Sequence, residues 1–133
     1  MQSPITIFSI SDNNDVVFVE FPKDLQVTID MAKEMVAARI NFTQNKKHYL
    51  ILDMSNIKNI TAEAKKYMQM QEGGLKNILG AALIGSNPIS TLISNVFIKT
   101  PKNFQAKFFQ NKKDAIDWIY LKKENKIANH WII

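Results

Sequence analysis

The stretch His48-Tyr49-Leu50-Ile51-Leu52-Asp53-Met54 is apolar almost throughout and is closed by an aspartate and a methionine. Strict alternation of apolar and polar residues would mark a strand wetted on one face. A short run without alternation belongs to a strand covered on both faces, as in a parallel sheet. We read it as the central strand of an α/β protein and work outward from it.

On its amino-terminal side, Thr28 is placed to cap a helix, Asp30 sits in the first turn, and Ile29, Ala32, Val36 and Ile40 recur at helical spacing. This helix is predicted to run to about Thr43. Before it, the β-rich runs Ile5 to Ile10 and Asp15 to Phe21 flank the turn formers Ser11-Asp12-Asn13-Asn14 and predict a hairpin.

On the carboxyl-terminal side, Ser55 to Ile60 reads as a polar loop. Thr61 caps a helix from Ala62 to Gln71, which Gly73-Gly74 ends. Asn77 to Gly85 gives a second buried strand. Asn87-Pro88 starts a third helix, Asn as the cap and Pro in the first turn. Its residues Ile89, Leu92, Ile93, Val96 and Phe97 form one apolar stripe predicted to face the sheet, and Pro101 closes it. Phe104 to Phe109 is the last strand. Asn111 with Asp114 resembles a capping box before a final helix carrying Ala115, Trp118 and Ile119. The order is β-β-α-β-α-β-α-β-α, which predicts a mixed, mainly parallel central sheet flanked by helices.

A chain of 133 residues suffices for one core, so residues 1–133 are read as a single domain ending in an apolar tail at about 124–133. Hydrophobic residues make up 46% and charged residues 22%, which argues against disorder. The absence of cysteine excludes disulfides, thiolate metal sites and a cysteine nucleophile. The start Met1-Gln2-Ser3-Pro4 lacks a basic segment followed by an apolar run, so no signal peptide is expected. The apolar stretches 78–84 and 89–98 are too short or too interrupted to span a bilayer. The expectation is a cytoplasmic protein. Net charge is +5, with lysines concentrated late in the chain, but a single arginine and no recognisable motif argue against nucleic acid as the partner.

No HExxH, GxGxxG, Walker A or GxSxG pattern occurs, and His48 and His130 have no evident companions for a metal site. Neither a cofactor nor enzymatic activity is expected. Asp53 draws notice because ligands in open α/β sheets bind beyond the carboxyl ends of the strands. Asp53, Ser55 and Asn56 should meet Ser86 and Asn87 there, and the helix starts that follow would favour an anion. The same groups also suit a purely architectural role, satisfying loop amides and capping helices. The third helix presents Ser90, Thr91, Ser94, Asn95 and Ile98 as a predicted outer face without charge, open to a partner or simply to solvent. The ending Asn129-His130-Trp131-Ile132-Ile133 should fold back, pack in a dimer, or remain exposed, and Trp131 is its candidate contact.

The run Tyr49 to Ile57, the helix start Thr61-Ala62-Glu63-Ala64, the segment Ala81 to Ser86 and the stretch from Phe108 to Ile119 together resemble the SpoIIAA-like, STAS/SEC14-like proteins of bacteria. The resemblance implies that fold for nearly the whole chain. In anti-sigma-factor antagonists of the family, a serine after an aspartate opens the helix that follows the central strand and is phosphorylated. Here the matching positions hold Thr61 and Ala62, so the resemblance implies a module without that switch. Two functional expectations follow. One is a non-enzymatic regulatory module that binds an unknown protein or a second copy of itself through the loops Asp53 to Thr61 and Ser86 to Asn87, with Thr61 a candidate contact, or through the outer face of the third helix. The other is a carrier or sensor of a small apolar or anionic ligand.

Overall fold

The structure, a computed structural model, describes residues 5–131, with side chains up to Asn125. Met1 to Pro4, the Trp131 side chain, Ile132 and Ile133, for which the sequence raised expectations, lie outside the described residues.

Its elements are β1 (Thr6–Ser9), β2 (Val16–Glu20), β3 (Leu25–Val27), α1 (Ile29–Phe42), β4 (His48–Asp53), β5 (Ile57–Ile60), α2 (Ala62–Met68), β6 (Ile78–Ile84), α3 (Pro88–Lys99), β7 (Gln105–Phe109) and α4 (Lys112–Trp131). Five strands form the main sheet in the order β1-β2-β4-β6-β7, with β1 antiparallel to β2 and every other pairing parallel. The central position of β4 agrees with its apolar run: five of its six residues are buried.

Side chains alternate across the strands, so each strand feeds two cores. Val17, Val19, Leu50, Leu52, Ala81 and Leu83 pack beneath α1, α2 and α3. Val16, Phe18, Tyr49, Ile51, Ala82 and Ile84 face α4, which contributes Ala115 and Ile119. Among the described residues α4 is the only helix on that second face. It is tied to the hairpin by the Tyr120 hydroxyl, which donates to the Ile10 carbonyl at 2.6 Å, and by Lys123, 2.8 Å from Asp15. Lys112 lies 3.7 Å from Glu20. Residues 124–131, read from sequence as an apolar tail, continue this helix.

Three predictions are corrected. The segment 55–60 is not all loop: Ile57–Ile60 is a strand that pairs in parallel with β3 to form a separate two-stranded sheet, which makes the order β-β-β-α-β-β-α-β-α-β-α. Strands of three and four residues carry too little pattern to be read alone. Second, α2 stops at Met68, with Gln69 as its cap, and neither Gly73 nor Gly74 adopts a positive φ. These glycines serve close packing instead, since a Cβ on either would strike the backbone of Tyr67 or Met68.

The third correction concerns the orientation of α3. Ser90 and Ser94, assigned to its outer face, are fully buried, whereas Leu92, assigned to the inner stripe, is 48% exposed. Gly85 explains the rotation: its bare Cα lets Ser90 sit so close that any Cβ at Gly85 would collide with it. A small residue on the helix and a glycine just past the end of β6 together let the first turn of α3 lie close to the loop that leaves that strand. The Ser90 hydroxyl is also satisfied within the capping box, accepting from the Asn87 N–H at 3.2 Å.

Candidate functional site

Beyond the carboxyl ends of β4 and β6, the loop after each strand is organised by local hydrogen bonds. Asp53 Oδ1 accepts from the Ser55 N–H at 3.0 Å. The Ser55 carbonyl accepts from Asn87 Nδ2 at 2.9 Å, and this bond joins the two loops. Asn87 Oδ1 meanwhile caps α3, accepting from the Ser90 N–H at 2.8 Å. Asn56 Nδ2 reaches back to the Phe21 carbonyl at 2.9 Å and fastens the site to the end of β2.

These bonds bring Asp53, Ser55, Asn56 and Asn87 together as the sequence predicted, with Ser86 exposed alongside. Thr61 is not part of the cluster. It lies past β5, where its hydroxyl accepts from the Ala64 N–H at 3.1 Å and its own N–H donates to Val27. With Asn87 engaged at both ends of its amide, and Asp53 and Asn56 each bonded to backbone, these side chains serve chiefly as architecture.

The loops enclose a shallow depression of about 360 Å³ lined by Lys23, Asp24, Ser55, Asn56, Lys58 and Ile89, among others. Lys23, Asp24 and Lys58 were missed by sequence reading. The signal for Lys23 and Asp24 was the turn Pro22-Lys23-Asp24, in which Asp24 takes a left-handed φ of 58°, whereas Lys58 comes from β5. Of the predicted outer face of α3, Thr91, Asn95 and Ile98 are exposed, joined by Leu92 and Lys99. That face combines two large apolar side chains, Leu92 and Ile98 at 38% exposure, with the Thr91 hydroxyl, the Asn95 amide and one cation, Lys99.

A second polar centre was unforeseen. His48 and Arg39 are both buried, with Arg39 Nη1 2.9 Å from His48 Nε2. Burial lowers the His48 pKa to about 4, with help from the nearby guanidinium, and lowers that of Arg39 to about 10. Arg39 also donates to the carbonyls of Lys76 at 2.9 Å and Gly74 at 3.2 Å, pinning the segment between α2 and β6. The pair is sealed from solvent and has no nucleophile, so its work is structural. Among the described residues no group of three or more His, Asp or Glu side chains is placed to hold a metal. Nor is any described helix long and apolar enough to cross a membrane.

The profile of a family described as a domain of unknown function, DUF7793, matches residues 8–123, and the chain belongs to that family. No functionally curated protein matches it. Among solved structures it is similar to an uncharacterized protein of the DUF3478 family with a SpoIIAA-like fold from Shewanella loihica PV-4. The TM-score is 0.63 at 18% identity, over 86% of this chain and 93% of that one. The chain thus has the SpoIIAA-like fold that its sequence resemblance implied.

Proposed function

We propose that this member of the DUF7793 family is a non-enzymatic protein-interaction module whose contact surface is the outer face of α3 and the adjoining depression. The observation that carries this reading is the exposure of Leu92 and Ile98 on one helix face, 48% and 38%, in a chain that buries its other α3 hydrophobics wholly or in part. Large apolar side chains beside a hydroxyl, an amide and a single charge match the composition of an interface. The neighbouring depression adds Lys23 and Lys58 as polar rim.

For an apolar ligand held under α3 the carrier reading has less support. The apolar space beneath α3, lined by Met35, Met54, Met68, Ile93 and Phe97 among others, has a volume of about 30 Å³, room for no more than about two or three water molecules.

The test is capture of partners on the immobilised full chain, with Leu92→Glu and Ile98→Glu as variants. Both positions are exposed, so each change should alter stability by less than about 0.5 kcal/mol. Loss of the captured protein from folded variants is the expected result. Undiminished capture would remove this face as the interface.

A further inference from the structure

The charge of this chain is unevenly distributed. Residues 1–72 hold eight basic and nine acidic side chains, and residues 114–133 hold three of each. Residues 73–113 contain six lysines and no acid, so the whole excess of positive charge arises there. In the fold this segment forms β6, α3 and β7, one flank of the sheet, and β7 is its edge strand.

Several of those lysines are engaged. Lys112 and Lys113 face Glu20 and Asp117, Lys76 faces Glu72, and Lys102 donates to the carbonyls that end α3. Lys107, in the middle of β7, has no carboxylate partner among the described residues. Its amine lies 5.5 Å from the centre of the Phe109 ring. Phe109 meets Trp118 at 5.7 Å, and Lys122 stands 5.4 Å over Trp118. The α4 side of this edge is therefore a cationic and aromatic strip. The opposite side carries Phe104 and Phe108, both half-buried.

The backbone register completes the picture. The Phe109 carbonyl accepts from the Gly85 N–H at 3.1 Å, so Phe109 turns its peptide groups toward β6. By the alternation of a parallel ladder Lys107 does the same, while Ala106 and Phe108 direct their N–H and C=O groups outward, away from the sheet. From these observations we infer that the β7 edge is a docking strand for an extended, acidic segment of a partner protein, in which acidic and apolar residues alternate. Its backbone bonds to Ala106 and Phe108, its acidic side chains lie toward Lys107 and Lys122, and its apolar ones toward Phe104 and Phe108. Lys107 also decides against a second copy of this strand, because pairing β7 with itself would juxtapose like charges, whereas an acidic strand is attracted.

This surface is separate from the α3 face, so the two readings can fail independently. The probe is an octapeptide alternating glutamate with valine, titrated into the isotopically labelled full chain, with the lysine–valine peptide as control. The expected result is movement of the Ala106 and Phe108 amide signals by the acidic peptide only. Affinity should fall with added salt and at least about tenfold in Lys107→Glu. Lys107→Gln should give an intermediate loss, and Leu92→Glu none. Equal binding of the lysine peptide, signals moving only elsewhere, or no binding to the folded chain would each overturn the inference. So would light scattering that shows the free chain associating with itself through an interface broken by Lys107→Glu.

Discussion

Arg39 Nη1 stands 2.9 Å from His48 Nε2, and both residues are buried. The guanidinium can only donate, so Nε2 accepts. Nδ1, 2.9 Å from the Lys46 carbonyl, must then carry the proton. The geometry thus fixes one neutral tautomer, and a second proton on His48 has no acceptor and faces a cation.

Stability should therefore fall on mild acidification. The unfolded chain protonates His48 at about 6.5, whereas the folded state resists until about 4. The contribution is full above pH 6.5, is lost as pH falls from 6.5 toward 4, and levels off below. The shift corresponds to about 3 kcal/mol. Urea denaturation across this window should show the loss, and His48→Gln should flatten it.

Arg39→Met keeps the length and apolar stem of the side chain but leaves the Gly74 and Lys76 carbonyls and His48 Nε2 without their donor. The expected cost is about 3 kcal/mol, read as a lower denaturation midpoint. Arg39→Lys should not restore it, because one ammonium cannot span all three acceptors.

Ser94 provides the opposite case. Its buried hydroxyl has no hydrogen-bond partner among the described residues. Ser94→Ala removes the unpaired group and improves helix propensity, so it should raise stability by about 1 kcal/mol. A lowered melting temperature would show that the hydroxyl has a partner after all.

Gly85→Ala should destabilise, since its new methyl would overlap the Ser90 side chain. We expect about 2 kcal/mol, the usual scale for overpacking. The change should appear in thermal melts together with altered amide signals at the start of α3.

The sequence carried the main sheet because β4 and β6 are long apolar runs bounded by turn and capping residues, and Thr28, Thr61 and Asn87 all cap the helices predicted for them. It misplaced the α3 surface because hydrophobic periodicity assumes that the largest apolar residues face inward. Here backbone proximity at Gly85 selected the small Ser90 instead, and Ser94, one turn further on, is buried with it. Arg39 was hidden for a related reason. It follows Ala32, Met35 and Val36 at helical spacing, so its position was legible, but its charge suggested solvent. The loop cluster was read correctly as a place and incompletely as a composition. Lys23, Asp24 and Lys58 arrive from the β3–β5 sheet and the turn before it, elements too short to be foreseen.

The arrangement of α4 bears on how the protein is made. Every strand it covers precedes it in the chain, so a nascent chain emerging from the ribosome can assemble α1, α2 and α3 on one side of the sheet while Val16, Phe18, Tyr49, Ile51, Ala82 and Ile84 are still bare. Such a half-finished sheet would expose six apolar side chains, the kind of surface through which folding intermediates aggregate, until the segment with Ala115 and Ile119 closes over it.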